Sequence, residues 1–317
     1  MILVIAPIAL NKYYNFLLQP PSKTEKQDIF VIKPGQAVVV TAQNLKEQGF
    51  IKNSLAFRLL VSQMGIGKNI QAGDFRLSPT MSAKEIAKEL THGAIDIWVT
   101  FPEGLRKEEQ AEKIEAKLKF GSNENYQFDK KQYLKIAEEG YMFPDTYLIP
   151  KDASAQDVST LLRSTFKTKV EDSILSNAKN KDLSPQEIII LASLIEREVR
   201  NEEERPIIAG ILSNRLKDGI ALQVDATIQY AKGYDSSNNT WWPQISTEDY
   251  QTTKSPYNTY LSPGLPPGPI CNPGMESIKS ASSPAQTEYY YYLHDSSGKA
   301  HFAKTIEEHN KNIADYL

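Results

Sequence analysis

Two carboxylates in the stretch 182–233 stand where chemistry could be done. The first is Glu196, inside the apolar run Ile188-Ile189-Ile190-Leu191-Ala192-Ser193-Leu194-Ile195-Glu196-Arg197-Glu198-Val199-Arg200. On a helix it shares a face with Ile189, Ala192 and Ser193 by i, i+3, i+4 spacing, while Glu198 lies about 200° away and reads as the ordinary carboxylate of the pair. Packing against Ile and Leu, close to the negative end of a helix, disfavours the charged form of Glu196. A carboxyl kept protonated near neutrality is what a general acid requires. The bland reading turns Glu196 to solvent or pairs it with Arg197 or Arg200, and spacing leaves both open. The second is Asp225, which reads first as the cap of a short helix over 226–232 and alternatively as a second catalytic carboxylate.

The elements around these groups follow from local signals. Ser184-Pro185-Gln186-Glu187 is a capping box with proline at the first helical position, so the Glu196 helix starts there. Asn201 to Pro206 opens a second helix that closes at Lys217-Asp218-Gly219, with Asn214 and Arg215 expected to point toward the first. Ala221-Leu222-Gln223-Val224 reads as a strand, and Gly233 ends the short helix after it. From Asn238 to Pro273 a long irregular region carries Trp241-Trp242-Pro243, Ser255-Pro256-Tyr257-Asn258-Thr259-Tyr260 and Gly264-Leu265-Pro266-Pro267-Gly268-Pro269-Ile270. Flat aromatic rings with polar tips suit sugar faces, and Asn amides suit hydroxyl or acetamido groups; the alternative is a loop merely stiffened by proline and aromatics. Helices are expected over Met275–Ala281 and Thr305–Leu317, with strands at Tyr289–Leu293 and His301–Phe302. His309 and Asn310 read as packing or capping residues.

Upstream, a weak repeat of strand, turn and helix recurs three times. Pro34-Gly35 leads to Ala42 and Leu45, Pro79-Thr80 to Ala87 and Leu90, and Pro102-Glu103-Gly104 to Ala111 and Ile114 at matching offsets. A helix over Ser54–Met64 is expected to turn Leu55, Leu59 and Val61 inward. Gly140 to Leu148 is aromatic-rich, with a proline that argues against a central strand, and Ala155 to Leu175 reads as a helix. The polar run Gly121–Lys131 is the expected domain boundary.

Composition bounds the class. The 317 residues are 40% hydrophobic and 24% charged with net charge −3, so the chain is globular, long enough for two domains, and lacks the basic excess of a nucleic-acid binder. Four histidines and the single Cys271 show no zinc spacing, so neither metal, cofactor nor disulfide is expected. Met1 to Leu10 is almost wholly apolar and is followed by Tyr13, Tyr14 and Phe16, which reads either as the outer part of a membrane anchor or as an amphipathic terminal helix. Residues 19–27 read as a linker.

Taken in order, the segments Leu191 to Glu198, Asn214-Arg215-Leu216, Leu222 to Thr227, Tyr257 to Tyr260, Gly264 to Ile270, Gly140 to Tyr147 and His309-Asn310-Lys311 resemble the MltG (YceG-like) endolytic murein transglycosylases over roughly Asp28 to Leu317. Ala226 stands where that family commonly has proline, and Thr80 where it has glycine. The resemblance implies an α+β protein: a possible anchor remnant at 1–18, a LysM-like glycan-binding module at 28–125, and a mainly helical catalytic domain with a small sheet at 126–317. It further implies a single-pass membrane protein whose catalytic domain is extracytoplasmic, acting on peptidoglycan glycan strands, with penicillin-binding proteins and other wall-synthesis proteins as partners. Glu196 would be the sole catalytic acid and base, with Gln223, Asp225, Thr227, Tyr230, Asn258, Thr259 and Tyr260 in or beside the cleft. Two other readings stand beside it: a muramidase-type hydrolase using Glu196 and Asp225, and a non-catalytic peptidoglycan-binding scaffold.

Overall fold

The computed structural model describes the chain except residues Met1, Glu25, Pro34, 93–95, 119–127, 151–152, Asp172, Lys181 and Arg200, with side chains of 2–9 and of His92 also left out. The expected boundary at 125/126, most of the Gly121–Lys131 loop and the Arg200 pairing lie outside the described residues. The chain divides into two compact units, one of residues 1–99, 114–128 and 147–153, the other of 100–113, 129–146 and 154–317. The architecture is mixed α+β.

The first unit opens with α1 (Ile2–Leu17). Among the described residues no helix is long and apolar enough to cross a membrane. Then come β1 (Asp28–Ile32), α2 (Val38–Glu47), α3 (Ser54–Gln63), β2 (Gly73–Leu77), α4 (Ala83–His92) and β3 (Asp96–Thr100), which is followed by α5 (Lys107–Leu118). Each copy of the repeat is therefore a strand, a turn and a helix. The repeated positions Ala42, Leu45, Ala87, Leu90, Ala111 and Ile114 are all fully buried. The four-stranded sheet runs in the order β1-β2-β3-β4, with β4 at Thr146–Pro150 on its edge and Pro144, the proline expected to exclude a central strand, lying before β4 begins. β1 and β2 are antiparallel with Phe30 opposite Phe75, and both rings are buried in one apolar core with Leu45, Phe57, Ile86 and Leu90. On α3 the expectation is partly reversed. Asn53 caps the helix, and the buried face is Ala56, Phe57, Leu60 and Val61, which turns Leu55 and Leu59 to solvent.

The second unit contains α6 (Lys130–Ile136), α7 (Ala155–Phe166), α8 (Pro185–Glu198), α9 (Arg205–Lys217), α10 (Asp225–Lys232), α11 (Asp249–Thr252), α12 (Met275–Ser282), β5 (Tyr291–His294), β6 (Ala300–Ala303) and α13 (Ile306–Tyr316). Its centre is α8. The capping box forms as expected: the Glu187 amide donates to the Ser184 hydroxyl, and the Glu187 carboxylate accepts from the Ser184 amide at 2.8 Å. Ile188 through Ile195 are then all buried, so this helix is apolar all round because α9, α10 and α12 cover it. Inside α8, the Ser193 hydroxyl accepts from the Ile270 amide at 3.0 Å and its carbonyl accepts from the Cys271 thiol, which ties the proline-rich loop to the helix. β5 and β6 form an antiparallel pair with Tyr292 opposite Phe302.

Ala221–Val224 is not a strand. Gln223 takes φ +58°, a left-handed conformation that breaks any ladder there. Gly140 is left-handed as well (φ +87°), and a Cβ on it would sit 2.5 Å from Pro269 Cγ. Gly140→Ala is thus expected to cost about 1–3 kcal/mol from overpacking, plus about 1 kcal/mol from the backbone, read as a lowered urea midpoint; an unchanged midpoint would contradict the close approach.

Candidate active site

The two glutamates at the end of α8 leave the helix on opposite sides and enter different surroundings. Glu196 goes into protein. Its side chain is 7% exposed, its Oε2 accepts from the Gly274 amide at 2.9 Å, and its Oε1 lies 3.6 Å from Arg205 Nη2. Gly274 is the N-cap of α12, so a carboxylate there complements the positive end of that helix. Arg205 opens α9 and is equally buried. Glu103 completes the cluster, and burial, then the charge of Glu196, push its carboxyl above the usual range. These contacts join three helices.

Glu198 instead lines a cleft of about 520 Å³ with Arg215, Gln223, Asp225, Tyr260, Tyr291, Tyr292, His294, His309 and Asn310. Tyr292 donates to Glu198 Oε2 at 2.9 Å, and the Ala226 amide at the start of α10 also donates to this carboxyl. Despite these donors, burial, reinforced by the charge of Asp225, raises its pKa from 4.5 to about 7. A carboxyl with a raised pKa thus stands at Glu198, two residues beyond Glu196. Burial, then the Glu198 charge, push the Tyr292 phenol well up, so it remains a donor at neutral pH.

The other expected site residues separate into those that face the cleft and those that build it. Gln223, Asp225 and Tyr260 face it. Asp225 is not a helix cap: it is the first residue of α10, no side chain caps that helix, and its Oδ1 accepts from the Tyr260 hydroxyl at 2.5 Å. Gln223 Oε1 accepts from Arg215 Nη2 at 2.5 Å. Thr227 and Asn258 are fully buried and Thr259 nearly so. Thr259 Oγ1 accepts from the Val224 amide at 3.0 Å and meets Thr227 Oγ1 at 3.1 Å, while the Asn258 amide donates to the Tyr250 and Thr253 carbonyls and accepts from the Tyr260 amide. These three residues fix the backbone that presents Gln223, Asp225 and Tyr260. Tyr230 lies elsewhere, packed on Tyr257 and under the Arg106 guanidinium.

The aromatic loop is also used differently from the expectation of sugar platforms. The Trp241 and Trp242 indoles donate to Glu112 and Glu109 of α5, and Arg197 stacks on Trp242 at 3.7 Å. Asn214 and Arg215 do not point at α8; they bind the carbonyls of Thr287, Tyr289, Tyr290 and Ala221. His309 and Asn310 belong to the cleft wall rather than to packing alone, with the His309 ring stacked 5.3 Å from Tyr291. Burial and the charge of Arg215 lower the His309 pKa, leaving the ring neutral near pH 7. Tyr291, Tyr292 and His294 had no local signal in the sequence beyond a run of tyrosines, because only the pairing of β5 with β6 brings them here.

Residues 30–315 match the YceG-like family. The chain belongs to it. Among its YceG-like relatives, the endolytic murein transglycosylase of Bacillus subtilis is 32% identical over 96% of this chain and 89% of its own length. The endolytic murein transglycosylase of Streptococcus pneumoniae is 25% identical over 99% of this chain, which spans 64% of that longer protein. The crystal structure of a YceG-like protein from Listeria monocytogenes is also similar, with a TM-score of 0.56 and 27% identity over 91% of this chain and 99% of that one.

Proposed function

We propose that this chain is an endolytic peptidoglycan lytic transglycosylase, and that Glu198, rather than Glu196, is its acid and base. The observation that carries the reading is a single carboxyl raised to about 7 in a polar cleft whose other carboxylate, Asp225, is already held by Tyr260. The relatives' names supply the reaction class. A retaining hydrolase needs a second carboxylate as nucleophile and an inverting one needs it as a base for water. A transglycosylase needs neither. Protonated Glu198 gives its proton to the oxygen linking N-acetylmuramic acid to N-acetylglucosamine as the bond from C1 breaks. The muramyl C6 oxygen bonds to C1, and its proton passes to the Glu198 carboxylate, which regenerates the acid. The product is a 1,6-anhydromuramyl end, formed without water. Tyr292 and the Ala226 amide stabilise the carboxylate halfway through this cycle, at the point where its charge appears.

Mass spectrometry of ends released from purified glycan strands tests the reaction: 1,6-anhydro ends support it, and exclusively reducing ends would exclude it. The pH profile tests the acid. Because Glu198 must be protonated to begin, kcat should fall as pH rises through about 7. A profile flat from pH 5 to 9 would remove Glu198 from the role.

The strand-turn-helix repeats, which a LysM-like module would also show, support glycan binding by the first unit. The apolar start of the chain supports an anchor that holds the catalytic unit outside the membrane, beside penicillin-binding proteins that extend the strands.

A further inference from the structure

The cleft holds two carboxyl groups, yet the proposed reaction uses one. Asp225 begins α10, its neighbour Ala226 donates its amide to Glu198, and the negative charge of Asp225 helps to raise Glu198. It lines the same cleft as the reacting carboxyl, where a carboxylate can act as a base toward water. Hydrolysis would then compete with internal transfer: the water oxygen bonds to C1, its proton goes to Asp225, and the leaving oxygen takes the proton of Glu198. That route ends in a reducing sugar.

Tyr260 stands in the way of this route. Its hydroxyl donates to Asp225 Oδ1 at 2.5 Å, and its ring is stacked on Tyr250 with centroids 4.2 Å apart and planes within 5°. The backbone on both sides is fixed, since Thr259 accepts from the Val224 amide beside Asp225 and Asn258 accepts from the Tyr260 amide. Burial and the neighbouring Asp225 push the Tyr260 phenol well up, so it keeps the proton it donates. The hydrogen bond occupies one carboxylate oxygen and fixes the rotation of the group. We propose that Tyr260 determines the product: by engaging Asp225 it denies water a base and commits the cleaved sugar to ring closure through its own C6 hydroxyl. This inference rests on the transglycosylase reading above.

Tyr260→Phe removes the hydroxyl and keeps the ring that packs on Tyr250. The experiment digests purified glycan strands with wild type, Tyr260→Phe and Tyr260→Phe/Asp225→Asn, and counts reducing against 1,6-anhydro ends by mass spectrometry, with circular dichroism confirming the fold of each. Loss of a hydrogen bond to a charged group should raise the ratio of reducing to anhydro ends by about tenfold or more in Tyr260→Phe. It should return to the wild-type ratio in the double variant, whose amide accepts no proton. An unchanged ratio in Tyr260→Phe, an equal rise in both variants, or a folded Tyr260→Phe that cleaves nothing would each overturn the proposal. Failure of the underlying reading is a separate result, the absence of anhydro ends from the wild-type digest.

Discussion

Glu198→Gln is expected to lower kcat by about 10² to 10⁴, the range that general acid-base assistance supplies, while leaving the protein folded. The amide has the size of the carboxyl and can still accept from Tyr292 and the Ala226 amide, but it has no acidic proton to give. The stability of the variant follows from the same raised pKa. A carboxyl whose folded value is about 7 against 4.5 contributes stability that is present below 4.5 and is lost as pH rises through about 7. Wild type therefore loses this contribution between those pH values, and Glu198→Gln does not. Urea unfolding at pH 5 and pH 8 should show the variant gaining on wild type at the higher pH. A variant that loses equally at both would contradict the burial of the carboxyl.

Glu196→Ala should do the opposite, with its main effect on stability. It leaves the Gly274 amide without its acceptor and Arg205 without its ion pair, in a place where Arg205 Nε and Nη1 already have no hydrogen-bond partner. Removing one member of a buried pair typically costs about 3–5 kcal/mol, because the remaining charge stays out of water. Glu196→Gln should cost less, since its side-chain oxygen can still accept from Gly274. A urea midpoint of Glu196→Ala equal to that of wild type would contradict the role assigned to this cluster.

The contrast between the two glutamates shows what the sequence made legible. Spacing correctly put Glu196 on a buried face with Ile189, Ala192 and Ser193, and the capping box correctly started the helix. The step from buried to catalytic does not follow from burial alone, because burial by α12 and α9 comes with its own partners, Gly274 and Arg205. Glu198 stands at the last turn, and its surroundings come from α10, β5 and α13, which are distant in sequence. No local period carries that information. The same limit explains Leu55 and Leu59, whose apolar character fits a core but whose positions lie on the outer side of α3. It also explains Asp225, which has the right type and place for a cap and is taken instead by Tyr260. The strand-turn-helix repeats were readable because each is local, and their buried Ala and Leu or Ile positions recur at fixed offsets. The motif Tyr257 to Tyr260 marked the right region. Within it the sequence could not separate Asn258 and Thr259, which hold the backbone, from Tyr260, which faces the cleft.

Of the two glutamates ending α8, we propose that Glu198 moves the proton and Glu196 holds the structure. The most direct measurement of this assignment is the rate at which purified Glu198→Gln and Glu196→Gln release 1,6-anhydro ends from glycan strands, side by side with wild type at pH 6. Glu196→Gln is expected to release within about tenfold of wild type, and Glu198→Gln to lose about 10² or more. Wild-type release by Glu198→Gln, with none from a folded Glu196→Gln, would contradict the assignment.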